Sequence, residues 1–307
     1  MIDWTLSVTR LLQFASILML FGSAVFCLYG RELEAIGVPG QHWAWPRSVL
    51  LVAPAVGIVA TFGSLMAEAE SLTGTWTSWG AVLMSRRFGA IAALRAGLLG
   101  LLLVTALIWP PAKGLWMIAA VFGGVVVASF AWTGHGSIGI GSARLLHRGA
   151  DVLHLLAAGV WVGALLALSI MVVRSLQLLT PADTRSIAHG LARFSAIGPS
   201  AVSILTLTGL VNSWYLVGLE HWRALFNTPY GLALIAKLVL FVLMLTLAAI
   251  HRFWLAPQLQ ATLRRSASAA GVLGQLRVSL IAESALAVLV LAAVAVLGTL
   301  EPPVSVA

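Results

Sequence analysis

Eight separate runs of apolar residues, each long enough to cross a lipid bilayer as a helix, dictate what this 307-residue chain can fold into. A hydrocarbon layer about 30 Å thick offers backbone N–H and C=O groups no water, so a spanning segment satisfies them internally as a helix of roughly 20 residues. The runs fall at 6–28, 48–67, 88–109, 115–134, 149–173, 194–218, 230–255 and 278–299. With 60% of residues apolar and 9% charged, no stretch remains between them for a soluble domain. The expected fold is all-α: one polytopic domain over 1–307, a bundle of about eight transmembrane helices.

The connections set the orientation. With the N-terminus outside, the inside connections carry Arg31, Arg47, Lys113, Arg174, Arg185, Arg193, Arg252, Arg264, Arg265 and Arg277. The outside ones carry only Arg86, Arg87, Arg144, Arg148 and Arg223. Basic residues favour the inside, so both termini are expected outside. The formal charge of +8 is then a topology signal. A nucleic-acid partner would need a soluble basic face, which this pattern lacks. Asp3 is the sole charge before the first run, so the basic region of a signal peptide is missing and the first helix is expected to stay uncleaved. Cys27, the single cysteine, excludes an internal disulfide and a Cys-rich zinc site.

Chemistry concentrates at the outer mouth of the fifth run. His147, Asp151 and His154 stand at i, i+4 and i+7, one helix face spread over about 10 Å of axis. Ionisable groups at that depth are expensive and mark function. His135 follows the fourth run on the same side, and glycines at 134, 136, 139 and 141 let its loop fold back over the ladder. Imidazole and carboxylate suit copper or zinc, and Met66, Glu68 and Glu70 at the outer end of the second run could add ligands. A second reading stays open: His147 and Asp151 as a hydrogen-bonded pair, with Arg144 and Arg148 against lipid headgroups.

Other polar residues receive plainer readings. Arg10, Arg95 and Lys237 lie within the outer third of their runs, where each can snorkel outward or neutralise Asp151. Near the inner face an Arg252–Glu283 pair is expected, with a metal or proton exit site at His251 and Glu283 as the alternative. Trp161 and Gly163 read as an aromatic beside small-residue packing. His42 and His189 read as loop residues without chemistry.

The chain also carries Gly134-His135, the D-x-x-H of Asp151 to His154, Trp161-x-Gly163 and the R-F-S of Arg193 to Ser195. Further on come the T-G-L-V-N of Thr208 to Asn212, the T-P-Y-G of Thr228 to Gly231 with Lys237, and the L-G-T-L-x-P of Leu297 to Pro302. Together and in this order they resemble the copper-resistance CopD (PcoD-type) proteins of the bacterial inner membrane, more sharply from residue 132 onward than in the first spans. His251-Arg252-Phe253 departs from the Asn-Arg-aromatic expected there. The resemblance implies a multi-pass inner-membrane protein that moves copper from periplasm to cytoplasm, served by a periplasmic CopC-like copper-binding protein and embedded in membrane lipids. His135, His147, Asp151 and His154 would then form the entry site. With no nucleotide-binding loop or activated nucleophile in view, an enzyme is not expected. The alternatives are a membrane redox protein, either a haem-binding cytochrome or a cupric reductase, and an assembly subunit for a periplasmic copper chaperone.

Overall fold

The computed structural model describes residues 3–30, 44–84, 88–133, 141–175, 181–218, 220–265 and 268–306. Among them there is no strand, and eight helices are long and apolar enough to cross a membrane. These are α1 (Trp4–Gly30), α2 (Ala44–Thr73), α3 (Phe88–Ile108), α4 (Lys113–Ser129), α5 (Gly141–Ser175), α6 (Pro181–Leu216), α7 (Pro229–Ile250) and α8 (Ala270–Leu297). The count agrees with the apolar runs. Several helices outrun them: α2 extends past both ends of its run, α5, α6 and α8 start earlier, and α7 continues to Arg264 through a π turn at His251–Leu255. Hydropathy registers only the lipid-facing part of a helix, whereas the backbone ladder continues as long as neighbours support it.

The π turn has a local cause. Pro257 has no N–H for the carbonyl four residues back, and the wider turn lies where that bond is missing. The start of α7 is equally local. Thr228 Oγ1 accepts from the Gly231 N–H at 3.0 Å, and Pro229 occupies the first turn, where its missing donor costs nothing.

Two apolar cores meet along α1 and α5. One gathers Leu18, Phe21, Leu99, Leu102, Trp116 and Val127 with Leu155 of α5. The other gathers Trp161, Leu165 and Leu168 of α5 with Leu191, Leu205, Met244, Leu276 and Leu280, and Phe26 of α1 joins it. The two shared helices cross backbone to backbone. A Cβ on Gly22 would sit 1.8 Å from the Gly159 carbonyl oxygen, and one on Gly163 would sit 2.1 Å from the Gly22 carbonyl carbon. Small residues are what permit such an approach in lipid, as expected for Gly163.

With an even number of crossings both termini lie at one end of the bundle, where Arg10 of α1 donates to the Gly298 carbonyl just past α8. The first turns of α5 are at this same end.

Candidate functional site

The expected ladder forms, and α6 answers it rung by rung. α6 runs antiparallel to α5 and presents Tyr215, Asn212 and Thr208 opposite His147, Asp151 and His154. The His147 ring, 1% exposed, stacks on Tyr215 with centroids 4.8 Å apart and planes 12° from parallel. Asn212 Nδ2 donates to Asp151 Oδ1 at a long 3.5 Å. His154 Nδ1 lies 2.9 Å from Thr208 Oγ1. Thr208 and Asn212 are the first and last residues of the T-G-L-V-N motif, so that motif is one wall of the seam. From α7, Lys237 lies within electrostatic range of both Asp151 and His154, and Tyr230 within range of Asp151.

The hydrogen bonds at His154 fix its tautomer. Thr208 has one hydroxyl hydrogen, and its Oγ1 is 2.5 Å from the Ile204 carbonyl oxygen, which only accepts. That hydrogen is therefore committed within α6. Toward His154 the hydroxyl oxygen can only accept, so Nδ1 carries the proton and Nε2 keeps its lone pair. A ring held by Nδ1–H, with Nε2 bare, is the form in which a histidine ligates a metal.

Asn212 adds a second signal. Its Oδ1 is buried with no hydrogen-bond partner, beside the Asp151 carboxylate that takes the amide nitrogen. Buried carbonyl acceptors are nearly always paired, so an orphan beside a carboxylate marks a place for a cation or a donor.

Several expected residues are placed elsewhere. His135 falls in 134–140, outside the described residues. Among the described residues no three His, Cys, Asp or Glu side chains gather closely enough to hold one metal ion. The ladder is thus a series of separate rungs. Met66 and Glu68 are partly buried and Glu70 exposed at the end of α2; Glu68 lies in range of Arg10. Arg95 does not snorkel: it is 5% exposed, its Nε and Nη2 donate to Ser129 and Thr133 at 2.8 Å each, and its guanidinium lies 4.1 Å from the Phe130 ring centroid. Those partners occupy it away from Asp151. Arg148 packs over the Trp132 ring at 5.2 Å. His189 accepts from Arg193 Nε at 3.3 Å.

The far half of the bundle corrects one pairing. Arg252 is exposed and donates to the Ser195 carbonyl, while Glu283 pairs with His251, whose Nδ1 is 3.0 Å from Oε2. Consecutive helical residues point about 100° apart, so His251 faces α8 and Arg252 turns to α6. The other carboxylate oxygen accepts from Trp161 Nε1 at 3.0 Å, and His251 Nε2 is 2.7 Å from Ser279 Oγ. Trp161 therefore does more than fill space.

Among the described residues His147 and His154 face Tyr215 and Thr208 of α6.

Comparison with known proteins follows the same division. The family model "Copper resistance protein D" matches residues 188–297, and "Copper resistance protein D-like, N-terminal domain" matches 1–145. The first spans thus match the family too. Copper resistance protein D of Pseudomonas syringae pv. tomato is 33% identical over 305 residues, covering 95% of each chain. Inner membrane protein YebZ of Escherichia coli (strain K12) is 26% identical over 98% of this chain and 100% of its own. Copper transport protein CutJ of Bacillus subtilis (strain 168) is 29% identical over 52% of this chain and 28% of its own. No solved structure matches.

Proposed function

The chain belongs to the copper resistance protein D family, and from that premise we propose that it imports copper across the bacterial inner membrane through the α5 ladder. The names of its relatives, copper resistance protein D, copper transport protein CutJ and inner membrane protein YebZ, support the cargo and the compartment. The loop charges support a periplasmic terminal end, which turns the ladder toward the periplasm. A CopC-like periplasmic protein is the expected donor. The reading is of a carrier rather than an enzyme.

One observation carries the entry site: Thr208 holds His154 in the tautomer whose Nε2 is free to bind. The rungs divide the work by depth. His135 takes the ion at the surface and passes it to His147, which is buried against Tyr215; Asp151 draws it inward by charge, with Lys237 keeping the carboxylate from being an uncompensated anion in lipid. His154 receives it with Nε2. Because no three ligands converge among the described residues, the ion is handed from rung to rung rather than caged, as a transport path requires.

The test is copper content of the purified protein together with copper uptake into proteoliposomes. His154→Ala is expected to lose both, whereas His189→Ala, whose hydrogen bond is to Arg193 on its own helix, keeps them. Equal content and flux in the two variants would remove His154 from the path.

A further inference from the structure

The buried pair His251–Glu283 lies in the half of the bundle away from the ladder. Glu283 is 0% and His251 5% exposed, and the pair sits at the π turn of α7, a local departure that often accompanies function. With one carboxylate and one imidazole it is too poor in ligands for copper, and no third His, Cys, Asp or Glu joins it among the described residues. Its hydrogen bonds suit a different cation.

Ser279 and Thr208 make the difference. Thr208 has its hydrogen committed to a backbone carbonyl, which locks His154 in one form. Ser279 Oγ meets His251 Nε2 at 2.7 Å and makes no such bond within its own helix, so its hydroxyl can donate to Nε2 or accept from it. His251 can thus gain or lose a proton at Nε2 and keep Ser279, while its Nδ1 lies 3.0 Å from Glu283 Oε2, a buried oxygen that accepts no hydrogen bond among the described residues and so is open to a proton. Ser279 also lines an open groove of about 630 Å³ between α7 and α8, with Leu247, Gly271, Gly274, Gln275 and Val278. The groove runs toward the start of α8, at the end of the bundle opposite the termini.

We propose that Glu283, His251 and Ser279 form a proton-binding relay that opens through this groove on the non-terminal side of the membrane. A hydronium ion in the groove gives a proton to Ser279 Oγ as the hydroxyl's own proton passes to Nε2. The imidazolium so formed gives its Nδ1 proton to Oε2 of Glu283. One N–H and one O–H form for each that breaks, water is left in the groove, and the pair goes from a net charge of −1 to neutral. The reverse sequence discharges it. Trp161 Nε1 remains on Oε1 throughout and holds the carboxyl in place.

The titratable groups on the far halves of the packed helices are Cys27 and Tyr29 of α1, Arg174 of α5, Arg185, His189 and Arg193 of α6, Arg264 and Arg265 at the end of the α7 extension, and Arg277 of α8. Arg252, next to His251, is turned to the Ser195 carbonyl, Arg193 donates to His189, and Arg277 is exposed.

The relay stands apart from the copper reading, and its test needs no copper. Infrared difference spectra of the purified protein, recorded after a rapid jump from alkaline to acid buffer, report the carboxylic-acid band; subtracting Glu283→Gln isolates this group from the rest of the ten carboxylates. We expect a titrating band in the wild type that Glu283→Gln lacks. Ser279→Ala should keep its final amplitude but slow its appearance on the order of a hundredfold, the scale of a lost positioned proton donor. His251→Asn, which keeps an amide for both neighbours, should slow it at least as much. No band assignable to Glu283, or unchanged rates in both Ser279→Ala and His251→Asn, would overturn the proposal. If Glu283→Gln does not fold, the rates of the other two variants decide alone.

Discussion

Thr208→Val isolates the contact on which the entry site rests. The change removes the hydroxyl acceptor of His154 Nδ1–H and leaves the ring the Leu205 backbone carbonyl as its remaining acceptor, while the other bond of that hydroxyl runs back to its own helix at Ile204. Two consequences differ in size. An interhelical hydrogen bond within a membrane contributes about 0.6 kcal/mol on average and at most about 1.7, since the unfolded helices find other partners in lipid. Loss of the group that orients a metal-binding histidine lowers metal affinity about 10- to 100-fold. That is about 1.4 to 2.8 kcal/mol. The copper effect should therefore exceed the stability effect.

The assay is a copper titration in competition with a chelator, run beside thermal unfolding on the same detergent-solubilised samples. Thr208→Val should lose affinity by at least about tenfold with a small shift in melting, and Thr208→Ser, which restores the hydroxyl, should recover most of it. Normal affinity in Thr208→Val beside lost affinity in His154→Ala would refute the orienting role. Normal affinity in both would refute His154 as a ligand.

Asp151→Asn should weaken copper binding by about tenfold or more while stability holds, because the amide keeps the shape and loses the charge. Destabilisation rescued by Lys237→Met would instead make Asp151 chiefly the counter-ion of that lysine; Arg95→Met should rescue nothing, since Arg95 is held by Ser129 and Thr133. Gly163→Ala should destabilise by about 3 kcal/mol or more in an unfolding assay, with its Cβ forced into Gly22, whereas Gly97→Ala and Gly100→Ala, which point into open space, should be neutral or mildly stabilising. Reporter fusions after Ala307 should read periplasmic and fusions in the 265–269 connection cytoplasmic. Cytoplasmic activity at Ala307 would invert the bundle and turn the ladder away from the copper donor.

The fold was readable because a bilayer leaves a chain so few choices. Apolar length alone locates eight helices, and the i, i+4, i+7 spacing alone puts His147, Asp151 and His154 on one face. What spacing could not supply was the other wall. Thr208, Asn212 and Tyr215 repeat the same spacing in reverse on α6, yet hydroxyls, an amide and a phenol in an apolar run read as ordinary helix glue. Only the antiparallel register of the two helices turns them into partners. The Arg252–Glu283 expectation failed for a related reason: depth along α7 was right, but 251 and 252 share a depth and differ in direction, and direction depends on which helix packs where. Gly163 was legible as packing, whereas nothing in the sequence named Gly22 as the residue it meets.

One helix carries both sets of polar contacts. Continuing the ladder of α5 by the same steps leads from His147, Asp151 and His154 through Ala158 to Trp161, seven residues or about 10 Å beyond His154. A straight helix drifts about 20° per heptad, so Trp161 has rotated only slightly off the ladder's face. That small rotation changes its neighbour: the upper rungs meet α6, while Trp161 reaches Glu283 on α8. The helix is also the one pinned backbone to backbone against α1 at Gly159 and Gly163, on either side of Trp161. A rigid α5 fixes the geometry of both sets at once, so a change at the Gly22–Gly163 crossing should disturb the His154–Thr208 contact and the Trp161–Glu283 contact together, although it touches neither.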